Sequence, residues 1–223
     1  MNWKLVAGMV ATSGLMLAAS DVEKRLDAAA LAFKEVMGIP DKTIPQDLLN
    51  RAECIVIVPD LKKGAFIVGA KYGKGFVSCR KKGGTGWSAP GSVRIEGGSL
   101  GFQIGGTETD VFMLIMNEKG VNRLLATKFT LGGDAIAAAG PVGRSAQADT
   151  DAALTAEILT WSRARGLFAG ISLNGATLRE DADWNQDMYG KRVSNKDILT
   201  TDIGPSKSAA NLMSELNHYS SRK

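Results

Sequence analysis

Histidine occurs once in this chain of 223 residues, at His218 near the C-terminus, and cysteine twice, at Cys54 and Cys79. A serine or cysteine nucleophile therefore lacks the imidazole that usually serves as its base. Two cysteines and one distant histidine do not make up a zinc ligand set either. No Gly-x-x-x-x-Gly-Lys-Ser/Thr loop is present, Gly73-Lys74-Gly75 lacks the third glycine of a dinucleotide fingerprint, and Ser88 in Trp87-Ser88-Ala89-Pro90 is not in a nucleophile elbow. The run Asp181-x-Asp183-x-Asn185-x-Asp187 opens like a calcium loop, but Gln186 stands where glycine is needed and Arg192 where glutamate is needed. It reads instead as a helix with acids on its solvated face and Trp184 and Met188 inward. No catalytic residue, cofactor or metal is assigned, and the chain is expected to be non-enzymatic.

Only one long run is free of charge. Leu5 to Ala19, behind Lys4, is 15 residues long, short of the roughly 20 that span a bilayer. It reads as the apolar core of a signal peptide, with Ala18-Ala19-Ser20 offering small residues for cleavage before Asp21; an uncleaved anchor is the rival. The expected organisation is a signal peptide over 1–20 and one domain over 21–223, exported to the periplasm or beyond. Export permits a Cys54–Cys79 disulfide, and two buried thiols in neighbouring strands are equally compatible with the pattern.

Glycine, by contrast, is abundant and concentrated: nine of the 24 residues from 83 to 106 are glycine. Trp87, Val93, Ile95, Leu100, Phe102 and Ile104 alternate among them, which is a strand pattern rather than a linker. Glycine in such a pattern marks bends or close approaches. Since no helix start carrying Lys-Ser/Thr follows, a phosphate cradle is excluded and the stretch reads as scaffold.

Val22, Leu26, Ala29, Ala30, Phe33, Val36 and Met37 recur at helical spacing from Asp21 to Met37, and Gly38 with Pro40 ends that helix. A short helix follows over 45–52. Strands are expected over 54–58, closed by Pro59, and then over 65–70 and 75–79 around a Tyr72-Gly73-Lys74 turn. Another is expected over 110–116, followed by a helix over 117–126, whereas 128–143 reads equally as helix or turn. Residues 153–162 and 167–173 pair across Arg163–Gly166, with Leu167, Ala169, Ile171 and Leu173 alternating. Asn174-Gly175 then signals a hairpin into 176–178. Helices over 180–189 and 206–219 close the chain. The expected class is α+β: a curved, mostly antiparallel sheet of several hairpins flanked by N- and C-terminal helices.

Charge is distributed unevenly. The chain totals +4, yet residues 60–82 carry Lys62, Lys63, Lys71, Lys74, Arg80, Lys81 and Lys82 against Asp60 alone, or +6, leaving −2 elsewhere. Such a patch fits an anionic surface; lysines that merely solvate hairpin turns are the plain alternative. Only Tyr72 and Phe76 accompany it, too few stacking aromatics for single-stranded nucleic acid, so nucleic acid is not an expected partner.

The sequence resembles the SYLF-domain family, lipid-binding modules of endocytic and FYVE-containing eukaryotic proteins and of bacterial exported proteins. The resemblance is carried, in order, by Ala52–Pro59, Lys63–Gly69, Gly73–Arg80, Gly86–Pro90, Gly101–Gly105, Thr109-Asp110, Leu131-Gly132, Gly140-Pro141, Gly166–Gly175, Asn185 and Tyr189-Gly190. It implies a peripheral lipid-binding protein that meets the membrane through an N-terminal amphipathic helix, Val22 to Met37, and the basic residues Lys62, Lys63, Arg80, Lys81 and Lys82. The charge count adds Lys71 and Lys74, an anionic phospholipid surface is the expected partner, and the helix would bury Leu26, Phe33 and Met37 there. Phosphoinositides and actin, the eukaryotic ligands, are not expected of an exported chain. An envelope protein partner, without direct lipid contact, is the alternative.

Overall fold

The computed structural model describes residues 20–39, 43–65, 69–83, 85–99, 107–143 and 155–220. Residues 1–19 of the expected signal peptide lie outside them, as do Leu100, Phe102 and Ile104. Helix α1 (Asp21–Gly38) is started by a reciprocal cap: Ser20 accepts from the Glu23 amide while Glu23 accepts from the Ser20 amide. Its apolar stripe of Val22, Leu26, Ala29, Ala30, Phe33 and Val36 is buried. Helix α2 (Gln46–Arg51) follows.

The sheet is built from β1 (Cys54–Ala65), β2 (Gly69–Cys79), β3 (Gly91–Ser99), β4 (Thr107–Ile115), β5 (Lys128–Thr130), β6 (Ala137–Ala139), β7 (Ile158–Ala164), β8 (Leu167–Gly170) and β9 (Thr177–Glu180). Its order is β5-β9-β3-β2-β1-β4-β7-β6, with β8 also on β7. All pairings are antiparallel except β6 with β7. Eight strands laid flat would separate the edges by about 34 Å. Yet only residues 131–136 join edge strand β5 to edge strand β6, a link that reaches about 25 Å at full stretch. The sheet therefore curls.

Alternation along each strand feeds two cores. On the concave side Cys54, Val56, Val58, Val77, Val93, Ile95, Val111, Met113, Phe129, Ile158 and Leu178 pack together. On the convex side Ile55, Ile57, Phe76, Phe112, Leu114, Leu159 and Trp161 pack under α1, α2 and the C-terminal helix. Helix α3 (Glu118–Leu124) follows β4. Helices α4 (Ala182–Tyr189) and α5 (Asn195–Thr200) follow β9, and α6 (Ala210–Tyr219) grows out of a 3₁₀ turn at Lys207–Ala209. Gly190 ends α4 in the left-handed region, as the sequence pattern requires. No helix among the described residues is long and apolar enough to cross a membrane.

Several sequence expectations change. Tyr72-Gly73-Lys74 is no turn: β2 runs straight through it, and β1 continues past Pro59 with an irregularity in register at Val58–Leu61 and Asp60 at φ 48°. A bulge is where a strand tolerates proline. Gly75 lies against that bulge, where a Cβ would sit 2.1 Å from the Ile57 carbonyl. Residues 128–143 form β5, a turn and β6 rather than a helix. Ala137–Ala139 is extended because β7 supplies its hydrogen bonds, against alanine's own preference. Asn174-Gly175 does make a turn, with Ala176 N–H donating to the Leu173 carbonyl, but β8 and β9 do not pair across it. Strand β8 goes to β7, and β9 inserts between β3 and β5. In β8 the inward residue is Phe168, while Leu167 is 75% exposed. Helix α5, capped by Ser194, was not expected.

Strand β3 bears out the scaffold reading of the glycine-rich stretch. A Cβ on Gly91 would meet Asn195 Oδ1 at 2.4 Å. That asparagine and Asn185, both buried, hydrogen-bond to the Ser92 carbonyl and amide respectively. They hold α4 and α5 against the strand.

Candidate functional site

The seven basic residues of the 60–82 window do not form one patch. Lys62 and Lys63 lie opposite Tyr72 and Lys71 near one end of the β1–β2 pair, whereas Arg80, Lys81 and Lys82 follow the other end of β2. Eight residues of strand separate Lys71 from Cys79, about 26 Å, and Lys81 lies beyond the strand's end.

Arg80 is spent on the fold. It is 8% exposed, donates to the carbonyls of Leu49, Ala52 and Ser220 and to Ser220 Oγ, and stacks 3.7 Å from the Trp87 ring. Trp87 Nε1 donates to the Leu216 and Ser220 carbonyls. Cation and indole together satisfy the C-terminal end of α6, where the helix dipole favours positive charge. Lys74 is likewise engaged, 2.8 Å from the buried Asp181 carboxylate and 4.4 Å from the centre of the Trp184 ring. Asp181 also accepts from the Trp184 amide, so the first carboxylate of the calcium-like run serves a lysine and a helix cap.

Lys81 and Lys82 are exposed and line a cleft of about 350 Å³ with Ser88, Leu199, Thr200 and Asp202. Next to it, a cleft of about 300 Å³ is bordered by Cys54 and Cys79, which are joined as a disulfide across directly opposed positions of β1 and β2. At the far end Lys62 is exposed and lies 4.0 Å from the equally exposed Glu108, a distance at which such a pair is worth little. Lys71 is half-buried and Tyr72 is 45% exposed. This corner combines cations with an amphipathic ring.

The three helix residues are placed differently from the expectation. Leu26 and Phe33 are 0% exposed. Phe33 meets Tyr219 edge-on at 5.7 Å, and Met37 is half-buried with its sulfur 3.4 Å from Thr43 Oγ1. The apolar stripe of α1 is core, not a membrane face. Polar contacts hold it there. Arg25 reaches the Pro59 carbonyl and Asp60, Lys34 reaches Glu215, and Asn211 reaches Asp27. Glu35 pairs with Arg163, which also forks onto Asp110. Burial works against the Arg163 charge, but its bonds to Glu35 and Asp110 prevail and raise its pKa. Moving Leu26 and Phe33 from this core into lipid exchanges one apolar medium for another, with no net gain to offset the broken pairs.

Further basic residues lie on the same convex face. Arg94 and Arg179, on β3 and β9, share Glu96 at 2.9 and 3.5 Å. Sequence reading missed them because they are isolated in the chain; only strand register brings them together.

Residues 96–219 match the sequence profile of a family described as "Ysc84: Las17-binding protein actin regulator". "SH3 domain-containing YSC84-like protein 1" of Mus musculus is 33% identical over 209 residues, covering 91% of this chain and 61% of that protein. Its Xenopus laevis counterpart is 35% identical over 178 residues, covering 77% and 52%. "LAS seventeen-binding protein 3" of Saccharomyces cerevisiae is 36% identical over 169 residues, covering 74% and 36%. The chain thus spans about six-tenths or less of these relatives' own lengths. With the profile covering more than half of the chain, this protein belongs to the Ysc84 family of SYLF-domain proteins.

Proposed function

We propose that this protein is an exported, non-enzymatic module that associates peripherally with anionic phospholipid membranes through the Lys62–Tyr72 corner of the β1–β2 pair. The observation that carries this reading is Tyr72 itself. It is an exposed aromatic side chain directly opposite Lys62 and on the same face, while the adjoining register pair Lys63 and Lys71 belongs to the other face of the two strands. A ring with an apolar body and a polar tip, set beside a lysine, is suited to the headgroup layer. Burial of α1 and the internal use of Arg80 and Lys74 remove them from the contact, so the reading differs from a helix-inserting one.

Even three lysines at roughly 1 kcal/mol each would support only weak, millimolar-scale attachment. Co-sedimentation with vesicles of phosphatidylcholine, with and without phosphatidylglycerol, tests it. Binding should require the anionic lipid, weaken as salt rises and fall in Lys62→Gln/Tyr72→Ala. Equal binding to neutral vesicles would sink the electrostatic part.

The second reading is a protein-interaction module of the cell envelope, favoured by its membership of a family described as Las17-binding. Actin and phosphoinositides are not proposed for an exported chain. Retention of a protein partner by the folded chain in the absence of lipid, unaffected by Lys62→Gln/Tyr72→Ala, would support that alternative.

A further inference from the structure

Across β2, β3, β9 and β5 the strand register sets Lys74, Arg94, Arg179 and Lys128 side by side. Residues directly opposed in antiparallel strands share a face, and neighbouring strands are about 4.8 Å apart, so the row spans about 14 Å. The intervening residues Val93, Ile95, Leu178 and Phe129 point the other way, into the concave core. Beside the row, on the same face, runs a second one of Tyr72, Glu96, Thr177 and Thr130. Two carboxylates face the four cations: Asp181 on Lys74, and Glu96 shared by Arg94 and Arg179. Lys128 is exposed and has no acid within ion-pair distance among the described residues. The Arg179 side chain is 40% exposed.

Like charges directly opposed on a sheet are unfavourable; Asp181 offsets Lys74 and Glu96 offsets Arg94 and Arg179, which leaves Lys128 opposite Arg179 without such compensation. Helices α4 and α5 pack on β3, and beyond it Arg179 and Lys128 stand on open sheet. We propose that the outer part of this row, Arg179 and Lys128, is a docking surface for the phosphate groups of an anionic phospholipid membrane, on the same face as Tyr72 and the Lys62 corner, while Lys74 and Arg94 stay engaged with the fold. The inference rests on the membrane reading above and extends it to residues outside the 60–82 charge window. A membrane suits the row better than an acidic peptide does. The cations lie in one line across four strands, outside both clefts described above. A peptide would be held in a groove or along a free strand edge.

Vesicle co-sedimentation with phosphatidylcholine/phosphatidylglycerol is the test, on the wild type, on Arg179→Gln/Lys128→Gln and on Lys81→Gln/Lys82→Gln. Arg94 is left in place to keep its partner Glu96. Loss of two surface cations should weaken partitioning by roughly thirtyfold, with an unchanged or slightly raised denaturation midpoint, while the Lys81/Lys82 variant binds as the wild type does. Undiminished binding by Arg179→Gln/Lys128→Gln overturns the row and leaves the Lys62–Tyr72 reading standing. No vesicle binding by the wild type overturns both. Loss of binding to soluble polyglutamate without loss of vesicle binding would instead give the row to an acidic protein, and overturn its assignment to lipid.

Discussion

The two ends of β2 carry similar sequences of basic residues and put them to opposite uses. At the Arg80 end the first cation turns inward, stacks on Trp87 and closes off three carbonyls at the ends of two helices, α2 and α6. At the Lys71 end Lys62 and Tyr72 remain exposed. A cation's role follows from what lies above its strand position rather than from local charge density. Where a helix terminus arrives with unsatisfied carbonyls, the cation becomes part of the fold. Where nothing arrives, it remains available to a partner.

Breaking the inward end should give the largest effect. Arg80→Met leaves buried carbonyls without donors and should cost about 3 kcal/mol or more, read as a lower denaturant midpoint. Vesicle binding by the still-folded fraction should stay unchanged if the comparison is right. Opening the bond between Cys54 and Cys79, 25 residues apart, should cost about 3 kcal/mol on loop entropy; chemical denaturation of Cys54→Ala/Cys79→Ala measures it. At the outward end the effect moves from stability to binding. Lys62→Gln/Tyr72→Ala should shift the midpoint by less than about 0.5 kcal/mol and weaken anionic-vesicle partitioning about tenfold. A large loss of stability there would show that the corner serves the fold after all. Smallest of all, Lys81→Gln/Lys82→Gln should change neither quantity measurably.

Much of the architecture was legible in the chain. The 3.6-residue stripe of α1, the alternation of β1 and β4 and the glycine stop after Tyr189 each follow from local periodicity or a single backbone requirement. What failed were inferences that treated local punctuation as decisive. Pro59 and Tyr72-Gly73-Lys74 looked like strand ends, yet a bulge absorbs the proline and β1 supplies a continuous partner for β2. Asn174-Gly175 turned the chain as expected, but strand choice was settled by competition from β7 and β3. Ala137–Ala139, helical by preference, was drawn into the sheet by the edge of β7.

The candidate site was legible only in part. Lys62, Lys71 and Tyr72 are neighbours in sequence or in a hairpin, so a charge count finds them. Arg94, Lys128 and Arg179 are far apart in the chain, and no window detects them. Similarly, the stripe of Leu26 and Phe33 announces an amphipathic helix but not what covers it. By itself the sequence determined the α+β class, the family and the stop of α4 at Gly190, because periodicity and helix-ending glycines act over a few residues. Tertiary structure alone decided which cations are consumed and which are presented, since that depends on strand register and on where α1 and α6 come to lie.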